Sequence, residues 1–342
     1  MDSRDRVIRA VEFRGPDRVP NGCYALPGSY YRHGKKLEDL FLRFPSDFHQ
    51  FVASWTMGAA DSIPYKGGIN EDPWGVVWNN PNPGIFGRIV EYPLADWKNL
   101  DNYSPPDLSE LVNFDEIGKS IRLTGHNRYV LGDSENFFER LHWLHGYANT
   151  LFDLMTSRKE LEKLIDILLD FKIRFIKRWL ELDIDGVYFL DDWGTMQGLM
   201  ISPNLWRQRF RPLYKRMFDV VHKSGKHVLF HSDGYVLDII QDFIEIGVDA
   251  LNIQVKLMGV DRLSEKFGGK LCILTDIDRQ YILPFGTTKE VEEHIRHIIR
   301  VFALFDGGLI SWGEIGPDVP LSNAETMLKT FARYGRYPLG KL

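Results

Sequence analysis

The sequence predicts a (β/α)8 barrel of the TIM type, because short apolar runs alternate with amphipathic helical patterns along most of the chain. The apolar runs are continuous, which is typical of parallel strands that are buried on both faces. The chain has 342 residues, a length at which α/β barrels still form one domain. We therefore expect a single barrel domain over residues 1–342, with an irregular insert between the early strands.

Eight apolar runs are the predicted strands, and they lie at residues 18–24, 51–55, 129–132, 186–190, 227–231, 250–254, 271–275 and 309–312. From the third run onward they alternate regularly with helical patterns. The second half of the chain therefore carries most of the barrel prediction.

The predicted helices have recognisable ends. A long periodic helix is expected over 158–182, and Ser202-Pro203 supplies an N-cap and a first-turn proline for a helix that ends near Gly225. A further helix is expected over 235–246. Two capping-box patterns precede the last helices, namely Thr287 with Glu290 and Ser322 with Glu325.

Residues 58–107 form the predicted insert, which is rich in proline, glycine, asparagine and tryptophan. Residues 84–90 have the pattern of part of a hairpin. Long inserts above a barrel often cover the active site, so we expect a flap or lid here, with a purely structural flap as the alternative.

The overall composition restricts the kind of partner. The net charge of −5 argues against nucleic acid, and no stretch approaches the ~20 apolar residues of a membrane span. The two cysteines, Cys23 and Cys272, lie far apart, which fits a reducing compartment rather than a disulfide-bonded protein. We expect a cytoplasmic enzyme that acts on a small molecule.

Polar residues follow the predicted strands at the ends where barrel enzymes place their chemistry. They are Asp133, Ser134, Glu135, Asp191, Asp192, His231, Asp233, Asn252, Gln254, Asp276, Asp278, Ser311, Trp312 and Glu314. Several carboxylates around one histidine repel one another unless a cation relieves them. A divalent metal such as Zn²⁺, or a cationic substrate, is therefore expected.

Each of these residues also has a structural interpretation. Asp133 and Asp192 are suitable helix caps, and Asp276 has a nearby ion-pair partner in Arg279. His231 is equally able to donate to a backbone carbonyl.

Several short motifs are shared with one known superfamily. They lie at residues 6–10, 16–20, 72–78, 225–227, 231–234, 244–249, 282–287 and 317–320. Together they resemble the uroporphyrinogen decarboxylase-like superfamily over nearly the whole chain. The resemblance implies a (β/α)8 barrel, and the superfamily contains both porphyrinogen decarboxylases and corrinoid-linked methyltransferases.

The resemblance is closer to the methyltransferase branch than to the true decarboxylases. The decarboxylases carry several arginines after the first strand, whereas residues 22–32 contain a single one, Arg32. A substrate with many carboxylates needs several guanidinium partners. Porphyrinogen decarboxylation is therefore not expected.

The methyltransferases bind zinc through a His-x-Cys motif and a second cysteine. His231 matches the histidine, Asp233 stands at the first cysteine, and Gly313 or Glu314 stands at the second. Carboxylate oxygens make a harder site, which suits a Lewis acid acting on an oxygen ligand. The resemblance thus implies a corrinoid-dependent methyltransferase that takes a methyl group from an O- or N-methyl donor, such as an aryl methyl ether, and passes it to a corrinoid carried by a partner protein.

Roles for individual residues follow from this resemblance. The expected metal ligands are His231 and Asp233 with Glu314, or Asp191 in place of Glu314, and the expected general acid is Glu135 or Asp192. The expected substrate-binding residues are Tyr24, Trp55, Asp191, Asn252 and Trp312. The alternatives are a metal-free decarboxylase of a smaller carboxylate substrate and a non-catalytic binding protein.

Overall fold

The structure is a computed structural model, and it describes residues 1–49, 62–124 and 126–339. Within these residues the strands are β1 (Tyr24–Ala25), β2 (Phe48–His49), β3 (Gly68–Glu71), β4 (Val77–Asn80), β5 (Arg88–Glu91), β6 (Tyr129–Asp133), β7 (Gly186–Leu190), β8 (His227–Ser232), β9 (Ala250–Ile253), β10 (Cys272–Thr275), β11 (Leu309–Ser311) and β12 (Glu314–Ile315).

Seven of the strands form one curled parallel sheet in the order β11-β10-β9-β8-β7-β6-β2. β1 continues the ring beside β11, because Asn21 bridges Ser311 in parallel and β1 pairs with β12. The Asp47 amide donates to the Asn21 carbonyl at 2.7 Å and so links this end to the segment that leads into β2. The result is a TIM-barrel-like fold, and the predicted fold class is confirmed.

The predicted strands from residue 129 onward agree with β6 to β11 to within two residues at each end. The first predicted strand, 18–24, is shortened to Tyr24–Ala25. The second, 51–55, lies outside the described residues, as does its Trp55. β2 lies just before that segment and pairs with β6.

The helices of the described residues surround the sheet. They are α1 (Ser3–Val11), α2 (Pro27–His33), α3 (Lys35–Arg43), α4 (Leu108–Leu111), α5 (Phe114–Thr124), α6 (Phe138–His145), α7 (Tyr147–Thr156), α8 (Lys159–Leu180), α9 (Pro203–Arg209), α10 (Arg211–Lys223), α11 (Ile240–Ile246), α12 (Val255–Met258), α13 (Val260–Phe267), α14 (Ile282–Phe285), α15 (Thr288–Phe302) and α16 (Leu321–Tyr334). None of them combines the length and the apolar content that a membrane-crossing helix needs.

Local sequence signals account for some of the helix ends. The long helix predicted over 158–182 is α8, and Ser202 caps α9 through the amide of Leu205. The single helix expected from there to Gly225 is instead two helices, because Pro212 in the first turn of α10 has no N–H for the preceding turn.

The two capping boxes have different outcomes. Thr287 and Glu290 form both reciprocal bonds at the start of α15, which confirms that prediction. The box predicted for Ser322 and Glu325 is wrong, because α16 begins at Leu321 and no side chain caps it. The helix expected over 235–246 is shorter, since a 3-10 turn over Leu237–Ile239 precedes α11.

The insert contains a three-stranded antiparallel sheet, β3-β4-β5, which includes the expected hairpin. Two of its contacts with the barrel involve α2 and α6. The Gly28 amide in α2 donates to the Gly84 carbonyl at 2.9 Å, and Asp72 forms a buried ion pair with Arg140 of α6 at 3.4 Å. The insert thus lies against the α2 and α6 side of the barrel.

Candidate active site

The end of β8 and the loops that follow β7 and β8 bring three ligand-type side chains together. Nε2 of His231 lies 3.5 Å from Oδ1 of Asp192 and 3.5 Å from Oδ1 of Asp233. One ligand atom from each of the three lies within 4.8 Å of the others. The three side chains therefore converge on one point at the carboxyl ends of the strands, where barrel enzymes carry out their chemistry.

Backbone contacts hold the two loops against each other. The Asp233 amide donates to Oδ1 of Asp192 at 2.8 Å, and the Gly234 amide donates to Oε1 of Gln254 at 3.0 Å. Gly234 has φ +78°, and a Cβ atom there would lie 2.2 Å from the carbonyl carbon of Gly194. Only glycine permits this approach, so Gly234 sets the spacing between the two loops.

Asn252 fixes which ring nitrogen of His231 faces the two carboxylates. Its Nδ2 donates to the Leu274 carbonyl at 2.8 Å, which leaves Oδ1 to accept from Nδ1 of His231 at 2.5 Å. The Tyr188 hydroxyl also donates to this oxygen at 3.3 Å. Nδ1 therefore carries the proton in the neutral ring, and the Nε2 lone pair faces Asp192 and Asp233.

Nε2 of His231 and the two carboxylate oxygens are all electron-pair donors, so a cation between them would bind all three. A nitrogen and two oxygens suit Zn²⁺ or a similar divalent ion, and a second hydrogen bond from the other ring nitrogen is typical of a metal-binding histidine. The His231 side chain is 17% exposed and the two aspartates are 32% exposed, so solutes reach them. These residues fit a metal ion.

Arg279 connects this trio to the other carboxylates of the site. Its guanidinium contacts Asp233, lies 3.3 Å from Asp276 and lies 3.0 Å from Oε1 of Glu314. The Tyr24 hydroxyl donates to the other oxygen of Glu314 at 2.9 Å. Glu314, predicted as a metal ligand, lies outside the group formed by Asp192, His231 and Asp233.

The site carries more carboxylates than cations. Burial and the charge of Asp233 raise the pKa of Asp192, and burial and the charge of Asp192 raise the pKa of Glu139 well above its usual range. Burial also raises the pKa of Asp276, although Arg279 opposes this shift. The excess negative charge favours a bound cation.

Asp191 lies at the start of α6 and not in the trio. Its carboxylate accepts from the amides of Phe137 and Glu139, each at 2.9 to 3.0 Å, and from the Tyr214 hydroxyl at 2.6 Å. Burial raises its pKa to about 6. The structure thus gives Asp191 the contacts of a buried helix cap.

Glu135, one of the two predicted general acids, is fully buried in a separate ion network. Its carboxylate lies 2.8 Å from Arg140 and 3.3 Å from Lys172, and none of these three side chains is exposed. The Arg140 guanidinium also lies between the rings of Trp74 and Trp143, at 4.5 and 4.7 Å from their centroids. This network attaches the insert to the barrel.

The aromatic residues predicted to bind substrate lie near the mouth. Trp312 is 4% exposed and packs against Phe48, Tyr188 and Tyr24, with ring centroids 4.9, 5.6 and 6.1 Å away. Asn252 is 3% exposed and is occupied by His231 and its other protein partners. Tyr24 reaches the site through Glu314.

A cavity of about 300 Å³ is lined by residues that follow β9 and β10 and not by the trio itself. Gln254, Asp276, Arg279 and Tyr281 are among the residues that line it. Because Gln254 and Arg279 also contact the loop that carries Asp233, the cavity opens next to the ligand cluster. It gives a small molecule space beside the candidate metal position.

Sequence reasoning did not assign a site role to Arg279 or Glu139. Arg279 follows the strand-end residue Asp276 by three positions, and this spacing is the signal that could have placed it at the mouth. Glu139 lies in the first turn of α6, where a carboxylate is the expected partner of the helix dipole, so the pattern alone pointed to a structural role.

The structure is similar to solved structures over most of its length. A methyltransferase from Methanosarcina mazei has a TM-score of 0.73 at 14% sequence identity, covering 98% of this chain and 99% of that chain. A psychrophilic glycoside hydrolase family 10 endo-beta-1,4-xylanase has a TM-score of 0.43 at 10% identity, covering 88% and 87%. The first similarity shows a shared fold.

Sequence comparison identifies the family directly. A search of curated proteins finds no match. The family model for uroporphyrinogen decarboxylase (URO-D) matches residues 84–334, which is more than half of the chain's 342 residues. This matched segment contains Asp192, His231, Asp233, Arg279 and Glu314. The chain belongs to the uroporphyrinogen decarboxylase family.

Proposed function

We propose that this protein is a metal-dependent methyltransferase that removes a methyl group from an O- or N-methyl donor and delivers it to a corrinoid on a partner protein. The observation that carries the proposal is the convergence of Asp192, His231 and Asp233 on one point. The shared fold with the Methanosarcina methyltransferase supports it. Zn²⁺ is the proposed ion.

The residues of the trio would hold the ion, and Asn252 would orient His231 towards it. When bound, the metal supplies Lewis acidity at the donor heteroatom. In a balanced transfer, the bond between the methyl carbon and oxygen or nitrogen would break, and the heteroatom would keep the electron pair and take a proton from solvent. The electron pair of the new bond to the methyl carbon would come from a cobalt(I) corrinoid on the partner protein. The protein's part is to bind and orient the donor and to exclude competing water.

The surroundings favour an uncharged or cationic donor. The Arg279 guanidinium is engaged by Asp233, Asp276 and Glu314, so a carboxylate on the substrate would have to displace one of these partners. The rings of Tyr24 and Trp312 pack against each other, and the Tyr24 hydroxyl bonds Glu314, which pairs with Arg279; this aromatic pair is the support for an apolar donor such as an aryl methyl ether. This chemistry also makes the alternative, decarboxylation of a carboxylate substrate, the weaker candidate.

The test has two parts, performed on the purified full chain. Zinc content is measured first, and methyl transfer to free cob(I)alamin is then followed spectrophotometrically with aryl methyl ethers, methylamines and methanol as donors. The expected result is stoichiometric zinc and turnover with at least one donor. The His231→Ala variant is expected to lose both.

A matched control uses His297→Gln, which changes a histidine at the surface that pairs with Asp261. This variant is expected to keep zinc and turnover. A protein that binds no metal and transfers no methyl group from any of these donors contradicts the proposal, and release of carbon dioxide from a carboxylate substrate would support the decarboxylase instead.

A further inference from the structure

We infer that Arg279 and Tyr24 withhold Glu314 from the metal and thereby keep a coordination position open for the methyl donor. This inference builds on the metal site proposed above. It assigns Arg279 and Tyr24 as positioning residues, because they act through Glu314 and Asp233 and not on the reacting atoms.

Both oxygens of the Glu314 carboxylate have partners away from the trio. Oε1 lies 3.0 Å from Nη1 of Arg279, and Oε2 accepts from the Tyr24 hydroxyl at 2.9 Å. The Glu314 side chain is 16% exposed, so its partners are protein groups more than water. Protein groups therefore hold both oxygens of the Glu314 carboxylate.

Arg279 is placed to couple Glu314 to the ligand set. The same guanidinium that binds Glu314 through Nη1 contacts Oδ1 of Asp233 through Nη2. That oxygen is also the one that lies 3.5 Å from Nε2 of His231. The Arg279 guanidinium therefore lies between Asp233, a proposed metal ligand, and Glu314, which is not in the ligand set.

The distinction matters because catalytic and structural metal sites differ in how many positions the protein fills. Three protein ligands leave room for water or substrate, whereas a fourth closes the site. Arg279 joins both Asp276 and Glu314 to Asp233, and of these two carboxylates we assign the role of a fourth ligand to Glu314, once Arg279 and Tyr24 release it. A closed site would hold the metal more tightly and transfer methyl groups more slowly.

The experiment measures metal affinity and turnover in a set of variants of the full chain. Metal is stripped with a chelator, and Zn²⁺ is titrated back against a chromophoric competitor. Arg279→Met is expected to bind Zn²⁺ about tenfold more tightly than wild type, the scale typical of groups that surround a metal site. Its methyl transfer to cob(I)alamin is expected to be slower.

The double variant Arg279→Met/Glu314→Gln separates ligand recruitment from simple loss of positive charge. The tighter binding is expected to disappear in the double variant, and Glu314→Gln alone is expected to bind Zn²⁺ as wild type does. Co²⁺ in place of Zn²⁺ gives an independent readout, because an added carboxylate ligand changes its visible absorption in Arg279→Met and not in the double variant.

Tyr24→Phe guards against a folding defect in Arg279→Met, since it removes one hydrogen bond to Glu314 and leaves every ion pair in place. It is expected to shift affinity in the same direction by a smaller factor. Tighter binding that persists in the double variant, or weaker binding in both Arg279→Met and Tyr24→Phe, would overturn the inference. A wild-type chain that binds no metal would overturn the proposed function as well. A wild-type chain that binds Zn²⁺, together with tighter binding that persists in the double variant, would overturn this inference alone.

Discussion

The side-chain oxygen of Asn252 accepts a hydrogen bond from Nδ1 of His231 at 2.5 Å, and this contact sets the direction of the histidine's free lone pair. The Leu274 carbonyl fixes the orientation of the Asn252 amide in turn. A residue of β9 thus determines what the histidine at the end of β8 can bind. His231 and Asn252 are paired across these two strands, so the register of the sheet places the acceptor oxygen beside the histidine that would bind the metal.

Replacing Asn252 is expected to weaken the metal site without removing a ligand. Asn252→Leu leaves Nδ1 of His231 without its acceptor, so the ring is free to turn or change tautomer, and Zn²⁺ affinity should fall by about 10- to 100-fold. Asn252→Asp retains the acceptor but loses the donor to the Leu274 carbonyl, so its Zn²⁺ affinity should fall less than that of Asn252→Leu. Competitive zinc titration checks both, and equal affinity in Asn252→Leu and wild type would contradict the proposed orientation role.

Removing Arg140 is expected to destabilise the fold strongly. Arg140→Met takes away the buried cation between Asp72 and Glu135. Glu135 is then left with Lys172, and Asp72 keeps hydrogen bonds from Trp74, Val76 and Trp78 but loses its ion pair with Arg140. Loss of one partner from such a buried network costs about 3 to 5 kcal/mol in the free energy of unfolding. Denaturant unfolding measures this loss.

The control for Arg140 is the exposed pair of Lys163 and Asp101, whose charged atoms lie 2.6 Å apart. Lys163→Ala should leave the free energy of unfolding essentially unchanged, because solvent already screens that pair. If Arg140→Met were as stable as wild type, the described network would not be what fixes the insert to the barrel.

His142 is expected to make stability depend on pH. Burial among Phe138, Trp143 and Tyr147, together with the charge of Arg140, lowers the pKa of His142 from 6.5 to about 4. Between these values the unfolded chain takes up a proton that the folded chain does not, so stability is lost as the pH falls from 6.5 towards 4.

Because His142 is partly exposed, we expect the free energy of unfolding to fall by about 2 kcal/mol on its account as the pH is lowered over this range. His142→Gln should flatten the pH dependence of the unfolding free energy by that amount, and His297→Gln should not. An unchanged slope in His142→Gln would show that the ring is already protonated or solvated in the folded protein.

The sequence predicted the second half of the barrel closely because each buried parallel strand is a continuous apolar run. Capping residues and prolines predicted the helix ends less accurately than the apolar runs predicted the strands. Ser322 has the right partner three residues later, but Pro320 takes the N-cap position and shifts the helix start. Likewise Pro212 divides the helix that was expected to continue from Pro203 to Gly225.

The site could be predicted in part, because strand ends reveal which residues share the mouth of a barrel. His231 and Asp233 were placed there from the apolar run before them, and they do converge with a third ligand-type residue. That third residue is Asp192 and not Glu314, since Arg279 and Tyr24 occupy both oxygens of Glu314. Such side-chain pairing depends on three-dimensional contacts that strand spacing does not encode.

Zinc content across four matched variants tests the central claim most directly. Purified wild-type chain and the variants His231→Ala, Asp192→Asn, Asp233→Asn and Glu314→Gln are equilibrated with Zn²⁺, desalted and analysed for metal by mass spectrometry. We predict stoichiometric zinc in wild type and Glu314→Gln, and loss of zinc in the other three variants while their folds persist by circular dichroism. Zinc that remains in Asp192→Asn and His231→Ala, or that is lost in Glu314→Gln alone, would contradict a site built from Asp192, His231 and Asp233.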